Sequence, residues 1–186
     1  MDIGSLLVSR LLREGDSREE IVIPSFTFAA TGNVVVEAGF RPRFADIEPR
    51  SFALSARTVE PVLSERTAAI MVVHFAGLYD EKNTIELRQL ADNWGIPLLE
   101  DCAESFGASG VLGGFSGSIG PSFFSLYATK GISCGEGGVC CTSDDEIADR
   151  LRLFRAHGVA RDAGLAWRRN TLAHGQNFRL ANLNAA

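Results

Sequence analysis

Residues 96–101 read Ile-Pro-Leu-Leu-Glu-Asp, and residues 123–130 read Phe-Phe-Ser-Leu-Tyr-Ala-Thr-Lys. Each is an apolar run of strand length that ends directly in polar groups. The first ends in two acids, the second in a Ser, Thr and Lys cluster. In open parallel sheets, ligand-binding groups collect beyond the carboxyl ends of the strands. An aspartate in that position can pair with a cation, or it can be a helix cap or a surface acid. A lysine there, beside apolar walls, can attack a carbonyl as a nucleophile, or it can be an ordinary surface lysine. Read alone, each run leaves both options open.

The pattern extends along the chain in both directions. Apolar β-type runs recur at Ile21–Ile23, Arg43–Ile47, Ala68–Val73 and Gly138–Thr142. Helical patterns lie between them, at Phe28–Ala38, Ser55–Ser64, Asn83–Trp94 and Asp144–Ala156. Strands that alternate with helices predict βαβ units. The expected fold is therefore α/β, a three-layer α/β/α sandwich around a mostly parallel sheet. Asp144 and Asp145 are good helix starts, and Gly158 is a good stop. Trp94, on a helical stretch, reads as a core residue. Met1–Arg13 reads as most of a first helix, and the tail Asn177–Ala186 has the composition of another helix that ends without a cap. The expectation is one domain over residues 1–186, incomplete at its N-terminus, with a C-terminal small domain absent.

Composition narrows the function. The chain has 186 residues, of which 46% are apolar and 22% charged, a balance that supports a packed core rather than disorder. A formal charge of −5 argues against nucleic acid as a partner, so an anionic ligand needs local donors. Cys102, Cys134, Cys140 and Cys141 form no CxxC pair and read as reduced thiols. His74, His157 and His174 have no metal-ligand spacing and read as packing or hydrogen-bonding residues; no metal is expected. No apolar run approaches a membrane span, and the first residues carry no basic leader, so the expected location is the cytoplasm.

Glycine-rich stretches occur at Gly107–Gly120 and at Gly135-Glu136-Gly137-Gly138. Neither forms a GxGxxG turn between strand and helix, nor a GxxxxGK loop, so both fit ordinary loops as well as ligand cradles. Ser25-Phe26-Thr27-Phe28 opens a helix. Hydroxyls at a helix N-terminus suit an anion and an aromatic ring there can stack on a flat cofactor, while capping hydroxyls with core phenylalanines are the plainer alternative.

Taken in order, the segments PSFTFAATGN, PLLEDCAESFGA, FFSLYATKGISCGEGG, FRAHG and GQNFRLANLNAA resemble the DegT/DnrJ/EryC1/StrS family of sugar aminotransferases, within fold type I of the pyridoxal 5'-phosphate (PLP) enzymes. The resemblance runs from about Glu20 to the last residue. It implies PLP as cofactor and Lys130 as the Schiff-base lysine that also shuttles a proton. It implies that Asp101 contacts the pyridine nitrogen, Ser125 bonds the phosphate and Phe28 covers one ring face. Glu104 falls where the family places a group near the ring hydroxyl, commonly Gln or His. Asn177 matches the family Asn that reaches the phosphate of a partner subunit, which implies a homodimer with composite sites. Its other reading is a turn residue before a helix. Only Gly4-Ser5 stands where the family has its upstream phosphate segment, and the residues after it match poorly.

The function implied is transfer of an amino group, from glutamate, to a keto group of a nucleotide-linked deoxysugar. Two alternatives remain: a non-catalytic truncated relic or assembly partner of the same fold, and a PLP-dependent sugar dehydratase. The dehydratase branch typically replaces the lysine with His, so Lys130 points away from it.

Overall fold

The computed structural model describes residues 17–161 and 169–185. The expected first helix, Met1–Arg13, and the Gly4-Ser5 segment lie outside the described residues. A six-stranded sheet carries the domain. Its strands are β1 (Glu20–Pro24), β2 (Arg41–Ala45), β3 (Thr67–Val73), β4 (Leu98–Asp101), β5 (Ser122–Ser125) and β6 (Gly138–Cys141). The spatial order is β2-β1-β3-β4-β5-β6. The pairs from β2 through β5 are parallel, and β6 runs antiparallel to β5 at the edge.

Helices cover both faces: α1 (Ala29–Glu37), α2 (Ala56–Val59), α3 (Glu81–Asn93) and α4 (Asp145–Phe154). Residues of β1 and β3 are buried throughout, as strands enclosed on two sides require. Their side chains alternate between two cores. Ile21, Ile23 and Met71 pack with Val34 and Val35 of α1 and with Leu151 and Phe154 of α4. Val22, Ile70 and Val72 pack with Val59 of α2 and with Leu87 and Ala91 of α3. The period of two along each strand thus builds the three layers. Edge strand β2 carries Pro42, whose missing N–H suits an edge position.

Several boundaries differ from expectation. β2 starts at Arg41 and stops at Ala45, because that stretch is in register with the whole of β1. β4 runs on through both acids instead of ending before them; Gly95 with φ 61° and the donorless Pro97 delay its start. The helix expected over residues 55–64 gives way at Glu60 to a 3-10 turn, with Pro61 inside it. Trp94, expected in the core, caps the end of α3 and is 41% exposed. Asp144 caps α4 as expected, accepting from the amides of Glu146 and Ile147.

The tail is the largest correction. Among its described residues, only Asn182–Ala185 (α5) is helical. Upstream, the amides of Gln176 and Phe178 donate to the carbonyls of Phe154 and Arg155, the orphan acceptors at the end of α4. Asn177 bridges Ala156. These bonds hold the segment extended, whatever its helical composition. Close approach of the two chain segments needs Gly158, with φ 67°, and Gly175: a Cβ at either would run into the backbone of the other segment. A hairpin of β7 (Val159–Arg161) and β8 (Arg169–Thr171), not anticipated from the pattern, completes this side.

Candidate active site

A cavity of about 990 Å3 opens at the carboxyl ends of β3, β4 and β5. That is where a parallel sheet presents its ligand groups. Phe28, Asp101, Glu104, Ser125, Lys130 and Asn177 all line it, so the fold brings these six candidate residues to one cavity. Segments far apart in the chain meet because each follows the end of a strand or opens a helix beside one.

Asp101 is the last residue of β4 and is buried, in register with Val73 of β3, which also lines the cavity. Its Oδ2 accepts from the Thr31 hydroxyl at 2.9 Å and its Oδ1 from the Ala103 amide at 3.1 Å. Thr31 in turn shares a hydrogen bond of 2.9 Å with Thr27. Thr31 carries no signal of this role in the sequence, because its partners Thr27, which precedes the helix, and Asp101 meet it only in the fold.

Ser125 ends β5, the strand that pairs with β4. Its Oγ accepts from the Tyr127 amide at 3.2 Å, leaving the hydroxyl proton for another acceptor. Lys130 is half-buried, and its amine lies 3.3 Å from Glu104 Oε1. The second oxygen of Glu104 accepts from the Ala76 amide at 2.8 Å. Ala76 has φ 54°, a left-handed conformation that a residue with a Cβ adopts only when its surroundings impose it. Phe28 stands at the N-cap of α1, 75% exposed, without a side-chain cap. The plainer reading of residues 25–28, capping hydroxyls over core phenylalanines, therefore does not hold. Ser25 turns instead to Asp46. Asn177 reaches the cavity wall of its own chain through its bridge to Ala156.

Glu100 points away from the cavity, as the neighbour of Asp101 on a strand must. It is fully buried. Its Oε1 accepts from the amides of Ile119 (2.8 Å) and Gly120 (2.7 Å), its Oε2 from the amide of Gly117 (2.9 Å) and from His74 Nε2 (2.9 Å). Burial pushes this carboxyl up, but the His74 bond and the amides of Gly120 and Gly117 outweigh that and hold it below the ordinary value. A carboxylate only accepts, so His74 Nε2 carries the proton. Cys102, beside this cluster, has its thiol pushed well up, first by burial and then by the charge of Glu100. A second buried carboxylate, Glu81 at the start of α3, accepts from the amides of Leu112 and Gly114. The glycine-rich stretch 107–120 is thus held at two points by acids.

The sequence profile of the DegT/DnrJ/EryC1/StrS aminotransferase family matches residues 5–186. The uncharacterised protein MJ1066 of Methanocaldococcus jannaschii is 39% identical over 153 residues, 82% of this chain and 38% of MJ1066. The solved structure of Helicobacter pylori PseC, an aminotransferase involved in the biosynthesis of pseudoaminic acid, superposes with a TM-score of 0.87 at 29% identity, covering 99% of this chain and 49% of PseC. The sugar aminotransferase CalS13 of Micromonospora echinospora gives a TM-score of 0.85 at 26% identity, over 98% of this chain and 51% of CalS13. This chain therefore spans about half the length, or less, of the proteins it matches, and it belongs to the DegT/DnrJ/EryC1/StrS aminotransferase family.

Proposed function

We propose that this chain is the cofactor-binding large domain of a PLP-dependent sugar aminotransferase. It serves transfer of an amino group, from glutamate, to a keto group of a nucleotide-linked deoxysugar. The observation that carries the reading is the meeting of Asp101 and Lys130 in one cavity at the strand ends.

The residues present fit PLP. The cavity matches a site for a small ligand in size, and its walls include Phe28, Val34, Val73 and Phe75, as a flat ring requires. A buried carboxylate, a hydroxyl with its proton unspent and a lysine amine are distributed around it. When bound, PLP supplies an aldehyde that condenses with amines and a pyridine ring that draws electrons from the adjoining carbon. The roles of the chain's own groups follow. Lys130 is the amine that anchors the cofactor and then moves a proton between the two carbons of the transfer. Asp101 holds the proton on the ring nitrogen, and Thr31 and Ala103 orient its oxygens. The Ser125 hydroxyl donates to the phosphate. Glu104, beside Lys130, would meet the ring hydroxyl, and Phe28 would stack on the ring. Asn177 adds a phosphate contact in a composite site.

A homodimer is part of this proposal. Exposed Leu172 and Leu183 supply apolar surface for a partner. Light scattering at high concentration tests it, and a monomer would sink the composite site. The cofactor reading is tested by adding PLP, reading visible absorbance, reducing with borohydride and mapping the modified residue. Modification of Lys130 supports it. A spectrum of free cofactor alone favours the non-catalytic relic. The position of Lys130 in the cavity keeps the dehydratase, in which His typically replaces it, as the weaker alternative.

A further inference from the structure

The two sides of the candidate site sit on different strands: Asp101 on β4, Ser125 on β5 with Lys130 beyond it. The ladder between these strands is the shortest in the sheet, with two register pairs, Glu100↔Ser122 and Asp101↔Phe123. β1 and β2 share five, β3 and β4 four, β5 and β6 four, β1 and β3 three. Backbone bonds across the seam run from Glu100 N to the Pro121 carbonyl and from Cys102 N to the Phe123 carbonyl. Such a seam on its own would leave Asp101 free to shift against Ser125 and Lys130.

The Glu100 side chain crosses that seam on the face away from the cavity. Three of its four donors, Gly117, Ile119 and Gly120, belong to the turn that leads into β5, and the fourth, His74, follows β3. The turn has little slack. A Cβ at Gly117 would meet the Phe124 ring, and one at Gly120 would meet the Leu98 carbonyl. One carboxylate thus ties β3, β4 and the entry to β5 together, and each of its oxygens faces at least one backbone N–H that cannot become an acceptor.

We propose that Glu100 is a positioning residue, whose buried carboxylate sets the placement of Asp101 relative to Ser125 and Lys130. It touches no ligand and acts through the strand ends. The inference rests on the PLP reading above.

Glu81 supplies the control. It is a buried carboxylate that grips the same glycine-rich stretch at Leu112 and Gly114, away from the β4–β5 seam. The experiment compares wild type, Glu100→Gln and Glu81→Gln, each shown folded by circular dichroism well below its melting temperature. PLP is titrated by visible absorbance, and the rate of borohydride-stable attachment to Lys130 is followed by mass. A purely structural role predicts that both variants melt earlier and that their folded fractions bind PLP alike. Positioning predicts that Glu100→Gln alone weakens PLP binding by roughly tenfold or more, shifts the absorption maximum and slows attachment at Lys130, as misplacement of reacting groups by about 1 Å does. His74→Phe, which removes one donor, moves the same readouts by a smaller factor. His74→Gln, whose amide can stand where Nε2 stands, restores them. Should Glu100→Gln not fold, the His74 pair decides. Unchanged PLP affinity and spectrum in folded Glu100→Gln, or in His74→Phe, overturn the inference and leave the PLP reading intact. No uptake by wild type overturns both.

Discussion

Glu100 and Asp101 are consecutive acids on one strand, yet they occupy opposite kinds of surroundings. Glu100 faces three donors that are fixed, the backbone amides of Gly117, Ile119 and Gly120, beside the His74 imidazole. Asp101 faces the cavity, and one of its partners is the Thr31 hydroxyl, which can turn, because its bond to Thr27 can run in either direction. A ring of fixed donors suits one charged shape and nothing else. A partner that can turn leaves room for another ligand and for change of charge. The difference separates an acid that holds the site together from an acid placed to take part in chemistry.

The sharpest attempt to break that distinction starts inside the cavity. Lys130→Ala should abolish covalent attachment of PLP, leave weaker noncovalent binding and lower transamination by several orders of magnitude. Absorbance and borohydride trapping read the first effect, turnover the last. Trapping in that variant would direct attention to Lys82, the only other lysine in the chain, which is exposed on α3 outside the cavity. Asp101→Asn should fold nearly as the wild type does, since Thr31 can reverse its bond to suit an amide. It should keep the cofactor linked and lose roughly 10²- to 10⁴-fold in turnover.

Glu100→Gln should show the reverse balance. An amide group there points donors at donors, and about 3 kcal/mol of stability is lost, roughly 6–12 °C in melting temperature for a domain of this size. Equal melting temperatures for the two acid variants would erase the distinction. A smaller effect follows from pH. The Glu100 carboxyl is held below its ordinary value of 4.5, so its contribution is present above that pH and is lost as pH falls through the lower folded value. The stability gap between wild type and Glu100→Gln should therefore narrow in acid denaturation below pH 4.5. A gap that widens there would contradict the sign. Least of all, Phe28→Ala should weaken PLP by up to about tenfold, the loss of one stacked ring, with no change in melting temperature because the side chain is already exposed.

The legible parts of the molecule were those with a strong local signal. Apolar runs of β-type residues located the central strands, and Asp144 announced the start of α4. The misreadings came where long-range partners overrule composition. The tail from Asn177 has the composition of a helix, but residues 176–178 spend their backbone on the end of α4. Trp94 looked apolar enough for the core but caps α3 at the surface. Thr31 was passed over because a threonine in a helix acquires meaning only beside the acid it meets, 70 residues away.

The sequence by itself determined the layer order and the identity of the groups at the strand ends, because strand and helix periods and the family's spaced segments are local properties of the chain. Only the tertiary structure decided what Glu100, the first acid of the Glu-Asp pair, does behind the cavity, where it meets the Gly117–Gly120 turn and His74. A strand turns successive side chains to opposite faces, and which face carries the cavity is settled by the helices, turns and neighbouring strands that pack against it.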